Sequence, residues 1–129
     1  MNKQTQLVNY QLSIVHGMAL IYDAATTPFQ RRVYDAAQEI PRGMVTTYVR
    51  LARHLGCGSA RAVGQALRRN RYAPRVPCHR IISADLRPGG FSGQTGGAAL
   101  RRKQALLRAE GVLFRAGRLA DARQLFDFR

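Results

Sequence analysis

The sequence predicts a mainly α-helical fold with small β elements, arranged around a helix-turn-helix. Three observations lead there. Four segments carry apolar residues at helical spacing, and two short ones are separated only by a glycine turn. A chain of 129 residues is long enough for one modest core and too short for two. No internal repeat or low-complexity stretch interrupts this pattern.

Residues 1–26 fit either a short strand or a loosely packed arm, with Leu12, Ile14, Ala19, Ile21 and Tyr22 as their apolar members. They are therefore set apart from a folded unit over 27–129. Thr27 is an N-cap and Pro28 the first helical position. Phe29, Val33, Ala36, Ala37 and Ile40 share one face until Pro41 and Gly43 stop the helix.

A second helix begins at Thr46 or Thr47, carries Tyr48, Leu51, Ala52 and Leu55 on one stripe, and ends at Gly56. Gly56-Cys57-Gly58 leads to Ser59, the N-cap of a third helix running to about Arg69. Ala62, Val63, Ala66 and Leu67 form its apolar side, and Arg61, Gln65 and Arg68 lie opposite. The pair reads as a helix-turn-helix with a basic outer stripe. A plain helical hairpin with a solvated face has the same pattern.

Val76 to Ile82 is a buried segment with a polar centre, Cys78-His79-Arg80. A glycine-rich loop follows, containing Gly89-Gly90-Phe91-Ser92-Gly93, whose small residues allow backbone to approach a ligand. The last helix spans about Ala98 to Glu110, with Ala99, Leu100, Leu106 and Leu107 inward and Gly111 as its stop. Glu110 shares the inward stripe, where an acid needs a partner. Val112-Leu113-Phe114, the turn Ala116-Gly117 and Leu119 form a small hairpin, with Phe126 and Phe128 closing against the body.

Lys and Arg number 21 against 7 acidic residues, a formal charge of +14. All but Lys3 and Lys103 are arginine, whose planar fork suits phosphate and base edges. Such a balance favours nucleic acid as partner over a membrane surface. The apolar run from Leu12 to Tyr22, broken by His16 and Gly17, is too short to span a bilayer. Cys57 and Cys78 read as free thiols, and with no secretory leader the expected location is intracellular, cytoplasm or nucleus. No cluster has metal-ligand spacing, and no cofactor signature appears.

A thiol is a strong nucleophile as thiolate, which requires a neighbouring base or positive charge. Cys78 has His79 and Arg80 beside it, although adjacency in sequence does not place an imidazole on the sulfur. Taken singly, Cys78 also fits a small buried hydrophobe and His79 a core histidine.

The whole segment carries more. Pro77-Cys78-His79-Arg80 between Val76 and Ile81 resembles the active-site signature of the O6-alkylguanine-DNA alkyltransferases, or methylated-DNA-protein-cysteine methyltransferases. Ile40-Pro41-Arg42-Gly43, Thr47-Tyr48, Ala60-Arg61-Ala62-Val63-Gly64, Asn70, Gly90-Phe91-Ser92-Gly93 and Lys103 to Glu110-Gly111 stand in that family's order, over about residues 28–115.

The resemblance implies a winged helix-turn-helix-like domain, the family's C-terminal unit, and a monomer that acts on double-stranded DNA containing O6-alkylguanine. Cys78 would be the alkyl acceptor. Glu110 would orient His79, which would take the thiol proton through a water; Asn70 would brace the turn. Tyr48 would donate a proton toward the departing guanine. Ser92, Phe91, Ile81 and Lys103 would line the base site; Arg61, Gln65, Arg68, Ser59 and Thr47 would contact DNA, with Arg61 filling the space left by a flipped base.

The family's usual N-terminal domain has little room here, the loop from Gly93 to Lys103 is longer than usual, and Phe91 stands where tyrosine is common. Two other readings compete. Alkyltransferase-like proteins bind O6-alkylguanine without repairing it, but replace the reactive cysteine. A helix-turn-helix transcription regulator leaves Cys78, Tyr48 and Glu110 without a joint purpose.

Overall fold

The computed structural model describes the backbone of residues 10–15, 18–89 and 97–128, with side chains from Tyr22 onward. Strands β1 (Tyr10–Val15) and β2 (Met18–Asp23) form an antiparallel hairpin in which Leu12 pairs with Ile21. This is the stretch that sequence pattern left between strand and arm. It packs on the first helix, α1 (Pro28–Gln38), and delivers the buried Tyr22 to the main core.

Thr27 is the N-cap of α1, as the Thr-Pro pair predicts, and with Gln30 it makes a reciprocal capping box. Its buried face comprises Val33, Tyr34, Ala36 and Ala37, followed by Ile40. Tyr34 is the addition to the predicted stripe. Tyr22, Tyr34 and Tyr72 meet edge to face or tilted, with centroids 5.2 to 6.0 Å apart.

The second and third helices are α2 (Tyr48–Leu55), capped by Thr47, and α3 (Ala60–Arg68), capped by Ser59. Gly56 closes α2 at φ 69°, a left-handed conformation that glycine adopts without a Cβ penalty. Both helices pack against each other and on α1.

Two-residue strands tie this unit to the rest. β3 (Thr46–Thr47) runs parallel to β4 (Ile81–Ile82), which directly follows a single 3-10 turn over Cys78–Arg80. The pairing holds the start of α2, with Tyr48, beside the turn that bears Cys78. On the other side of β3, Val45 bridges to Leu125, so the C-terminal segment completes the layer and packs Phe126 and Phe128 on the core.

The last helix, α4 (Gly97–Ala109), rests on the 3-10 turn and buries Ala99, Lys103 and Leu107 at four-residue spacing. Leu106, expected inward, is 38% exposed. The buried stripe is centred on Lys103 instead. β5 (Phe114–Arg115) and β6 (Arg118–Leu119) form the expected hairpin, turned by Ala116 and Gly117, both at positive φ. Among the described residues, no helix is long and apolar enough to cross a membrane.

Candidate active site and nucleic-acid face

Cys78 opens the 3-10 turn, half-buried, where β4 begins and α4 packs against the turn. Burial pushes its thiol pKa up; the Asn70 side chain, the Lys103 charge and local backbone amides oppose that rise without cancelling it. Asn70 also braces the approach to the turn. Its Nδ2 donates to the Val76 carbonyl at 2.9 Å, and its Oδ1 accepts from the Tyr72 amide at 2.8 Å.

His79 and Glu110 are brought together as expected. Their side chains are 5% and 8% exposed, and Nε2 stands 3.2 Å from Oε1. The approach is outside hydrogen-bond geometry, and Nε2 is left without another partner. Burial lowers the His79 pKa; Glu110 opposes that, and the charges of Arg80 and Lys103 reinforce it. Glu110 itself lies just past the last turn of α4. Burial raises its pKa, yet the hydrogen bonds from Arg80 and the closeness of His79 outweigh that and hold the carboxyl below its ordinary value.

Arg80 is the residue that sequence reasoning left without a place. Its Nε and Nη2 fork onto the two oxygens of Glu110 at 2.9 and 2.7 Å, and its Nη1 reaches the Ile40 carbonyl at 2.8 Å. The available signal was an arginine beside a buried histidine, with one acid on an inward stripe to receive them both.

Lys103 is fully buried, with Nζ donating to the Ile81 carbonyl at 2.7 Å and lying 5.9 Å from the centre of the Tyr48 ring. Burial brings its pKa down to about 8. Tyr48 is pushed up to about 12 by burial, with the Cys78 charge adding to the rise. Its phenol therefore stays protonated at neutral pH, as a proton donor must. The Ile81 side chain belongs to the core, so its backbone is the part directed to this neighbourhood. Phe91 and Ser92 lie outside the described residues.

On the outer side, Arg61, Gln65 and Arg68 are exposed along α3, opposite the buried Val63, Ala66 and Leu67. The hydroxyls of Thr47 and Ser59 are occupied as caps, accepting from Arg50 N and Ala62 N. A groove of about 460 Å³ runs between Tyr48 and Val49 of α2, Arg61, Gly64 and Gln65 of α3, and Ser83 and Ala84 after β4. Gly89 borders the same region at φ 72°. A Cβ there would stand 2.7 Å from Ser83 Oγ, which would have to move, and in ordinary contact with the Tyr48 ring at 3.7 Å.

A half-buried thiol, a histidine-carboxylate pair and a basic helix-turn-helix thus share one small domain. Residues 28–112 match the family described as 6-O-methylguanine DNA methyltransferase, DNA binding domain, and the chain belongs to that family. The methylated-DNA–protein-cysteine methyltransferase of Salmonella typhimurium is 49% identical over 88 residues, which cover 67% of this chain and 48% of that protein. The chain thus spans about half the length of that relative. Among solved structures, Schizosaccharomyces pombe Atl1 in complex with damaged DNA containing O6-carboxymethylguanine aligns with a TM-score of 0.64 and 33% identity, over 77% of this chain and 94% of Atl1. The O6-methylguanine-DNA methyltransferase of Pyrococcus kodakaraensis aligns with a TM-score of 0.60 and 41% identity, over 70% of this chain and 49% of its own.

Proposed function

We propose that this chain repairs DNA by accepting an alkyl group from O6 of guanine onto Cys78 Sγ, once per molecule and as a monomer. The observation that carries the reading is the thiol's setting: Cys78 faces Asn70 and the buried Lys103, while the adjacent His79 meets Glu110 3.2 Å away. Family membership supports the choice of O6-alkylguanine as substrate class.

In this reading His79 takes the thiol proton through a water, and Sγ attacks the alkyl carbon. The Sγ–C bond forms as the C–O6 bond breaks, and the electron pair stays on the guanine. Tyr48 then supplies a proton toward the departing base. Lys103 favours the thiolate electrostatically, and Asn70 fixes the turn. Arg61, Gln65 and Arg68 hold the duplex, Arg61 occupying the space of the flipped nucleotide; Ser92 and Phe91 complete the base site.

The product is a thioether, which has no electrophilic carbonyl for water to attack. Product should therefore plateau at one equivalent of protein in a single burst. Intact-mass analysis after mixing with an O6-methylguanine duplex should show one added methyl on Cys78, and Cys78→Ser should keep lesion binding and lose the burst. Turnover past one equivalent would refute the stoichiometry.

The match over nearly the whole length of Atl1 favours a second reading, lesion binding without transfer. Tight binding to the damaged duplex with no mass gain would select it.

A further inference from the structure

Both oxygens of Glu110 are committed to Arg80, and Oε1 is also the nearest acceptor to the orphaned His79 Nε2. Arg80 is in turn anchored by Nη1 on the Ile40 carbonyl. One guanidinium thereby joins the segment after α1, the 3-10 turn and the end of α4. We propose that Arg80 is a positioning residue of the proton relay, its fork holding the Glu110 carboxylate so that the acid is shared between guanidinium and imidazole. The inference deepens the reading of Cys78 as alkyl acceptor and rests on it for its kinetic consequence; the clamp itself is independent of transfer.

The physical argument concerns which form of His79 is present before reaction. An ionised carboxylate given wholly to an imidazole favours imidazolium, which has no lone pair for the thiol proton. A guanidinium on the same carboxylate offsets that attraction. The charged groups facing His79 are Glu110 at the end of α4, Lys103 from the buried stripe of α4, and Arg80 on its own turn, where the titratable neighbour Cys78 is a thiol with its pKa raised by burial. Burial disfavours imidazolium, Arg80 and Lys103 act in the same direction, and Glu110 alone opposes them. Without Arg80 that balance tips toward the charged form. Without its fork the carboxylate is also free to rotate away from Nε2.

The test titrates the His79 imidazole by NMR in the isotope-labelled full chain without DNA, alongside the pH dependence of single-turnover Cys78 alkylation by an O6-methylguanine duplex. Arg80→Gln should raise the His79 midpoint by about one pH unit, the lower end of what one close charge does. The acid limb of the rate profile should move up with it. Arg80→Lys, which keeps charge without the fork, should shift both in the same direction by less. In a Glu110→Gln background most of the Arg80→Gln shift should vanish, because no carboxylate remains to be shared.

An unmoved His79 in folded Arg80→Gln, or the full shift persisting beside Glu110→Gln, overturns the proposal. Should Arg80→Gln lose its fold by far-UV circular dichroism, Arg80→Lys decides alone, and an unmoved His79 there overturns it equally. A wild-type chain that shows no alkylation while its His79 responds as described refutes the acceptor reading and supports the clamp.

Discussion

Lys103 shows how one buried charge sets conditions for its neighbours. Its ammonium is fully buried under the Tyr48 ring, where burial lowers its pKa from 10.5 to about 8. Between those values the unfolded chain binds the extra proton, so this lysine makes stability rise with pH from about 8 toward 10. Tyr34 and Tyr48, pushed up to about 12, act oppositely, because the folded chain keeps protons that the unfolded one loses; their window opens only above pH 10. Urea denaturation at pH 7, 8, 9 and 10 should therefore show wild type gaining stability relative to Lys103→Met across the upper half of that range. Parallel curves would mean that the lysine is not desolvated as described. The same substitution removes the positive charge that favours the Cys78 thiolate, and transfer at pH 7 should slow on the order of tenfold, the equivalent of about one pKa unit. The sequence named Lys103 through family resemblance, yet its burial was hidden, since a lysine on a helical pattern reads as a solvated residue until packing shows otherwise.

Elements were legible wherever local chemistry decides them. Thr27-Pro28 marks the α1 start, Gly56 the α2 end and Ser59 the α3 start, and each acts through its own side chain or its own φ. Thr27→Ala should accordingly cost about 1 kcal/mol of unfolding free energy, measured by chemical denaturation. Contacts made across the chain carried no local signal. Tyr34 donates its phenolic proton to the Ala66 carbonyl at 2.6 Å near the end of α3, joining α1 to the helix that faces DNA in the proposed function. Two residues of parallel β3–β4 pairing are likewise too short to announce themselves as period-two alternation, though they align Tyr48 with the Cys78 turn. Tyr34→Phe leaves the Ala66 carbonyl buried without that donor and should cost about 1–2 kcal/mol, read by the same denaturation. Arg61, exposed on the opposite face of α3, should behave differently. Arg61→Ala should leave the midpoint nearly unchanged and slow repair of duplex DNA far more than reaction with a free O6-benzylguanine base. Equal losses in both reactions would make Arg61 structural.

At the scale of the molecule, the excess of +14 was plain from composition, but its disposition was not. Much of the scarce negative charge is spent locally: Asp127 pairs with Arg50, Asp85 with Arg87, Asp121 with Arg123, Glu110 with Arg80, and Glu39 stands 3.8 Å from His54. Pairs of this kind neutralise arginines on α2, on the loop after β4 and near the C-terminus. The outer stripe of α3 is different: Arg61 and Arg68 are exposed there, and no ion pair among the described residues involves them. A polyanion approaching α3 would therefore meet positive charge that is not already engaged, beside the groove bordered by Tyr48 and Ser83. Each phosphate contact releases a counterion, so the slope of log affinity against log salt counts such contacts. Arg68→Ala should flatten that slope by about one unit on undamaged duplex. Arg87→Ala, which removes a guanidinium already paired with Asp85, should leave it nearly unchanged. Affinities measured by fluorescence anisotropy from 50 to 200 mM salt, concentrations over which such slopes are resolved, would make the comparison. A slope insensitive to Arg68, or equally sensitive to Arg87, would show that DNA meets a different face of the molecule.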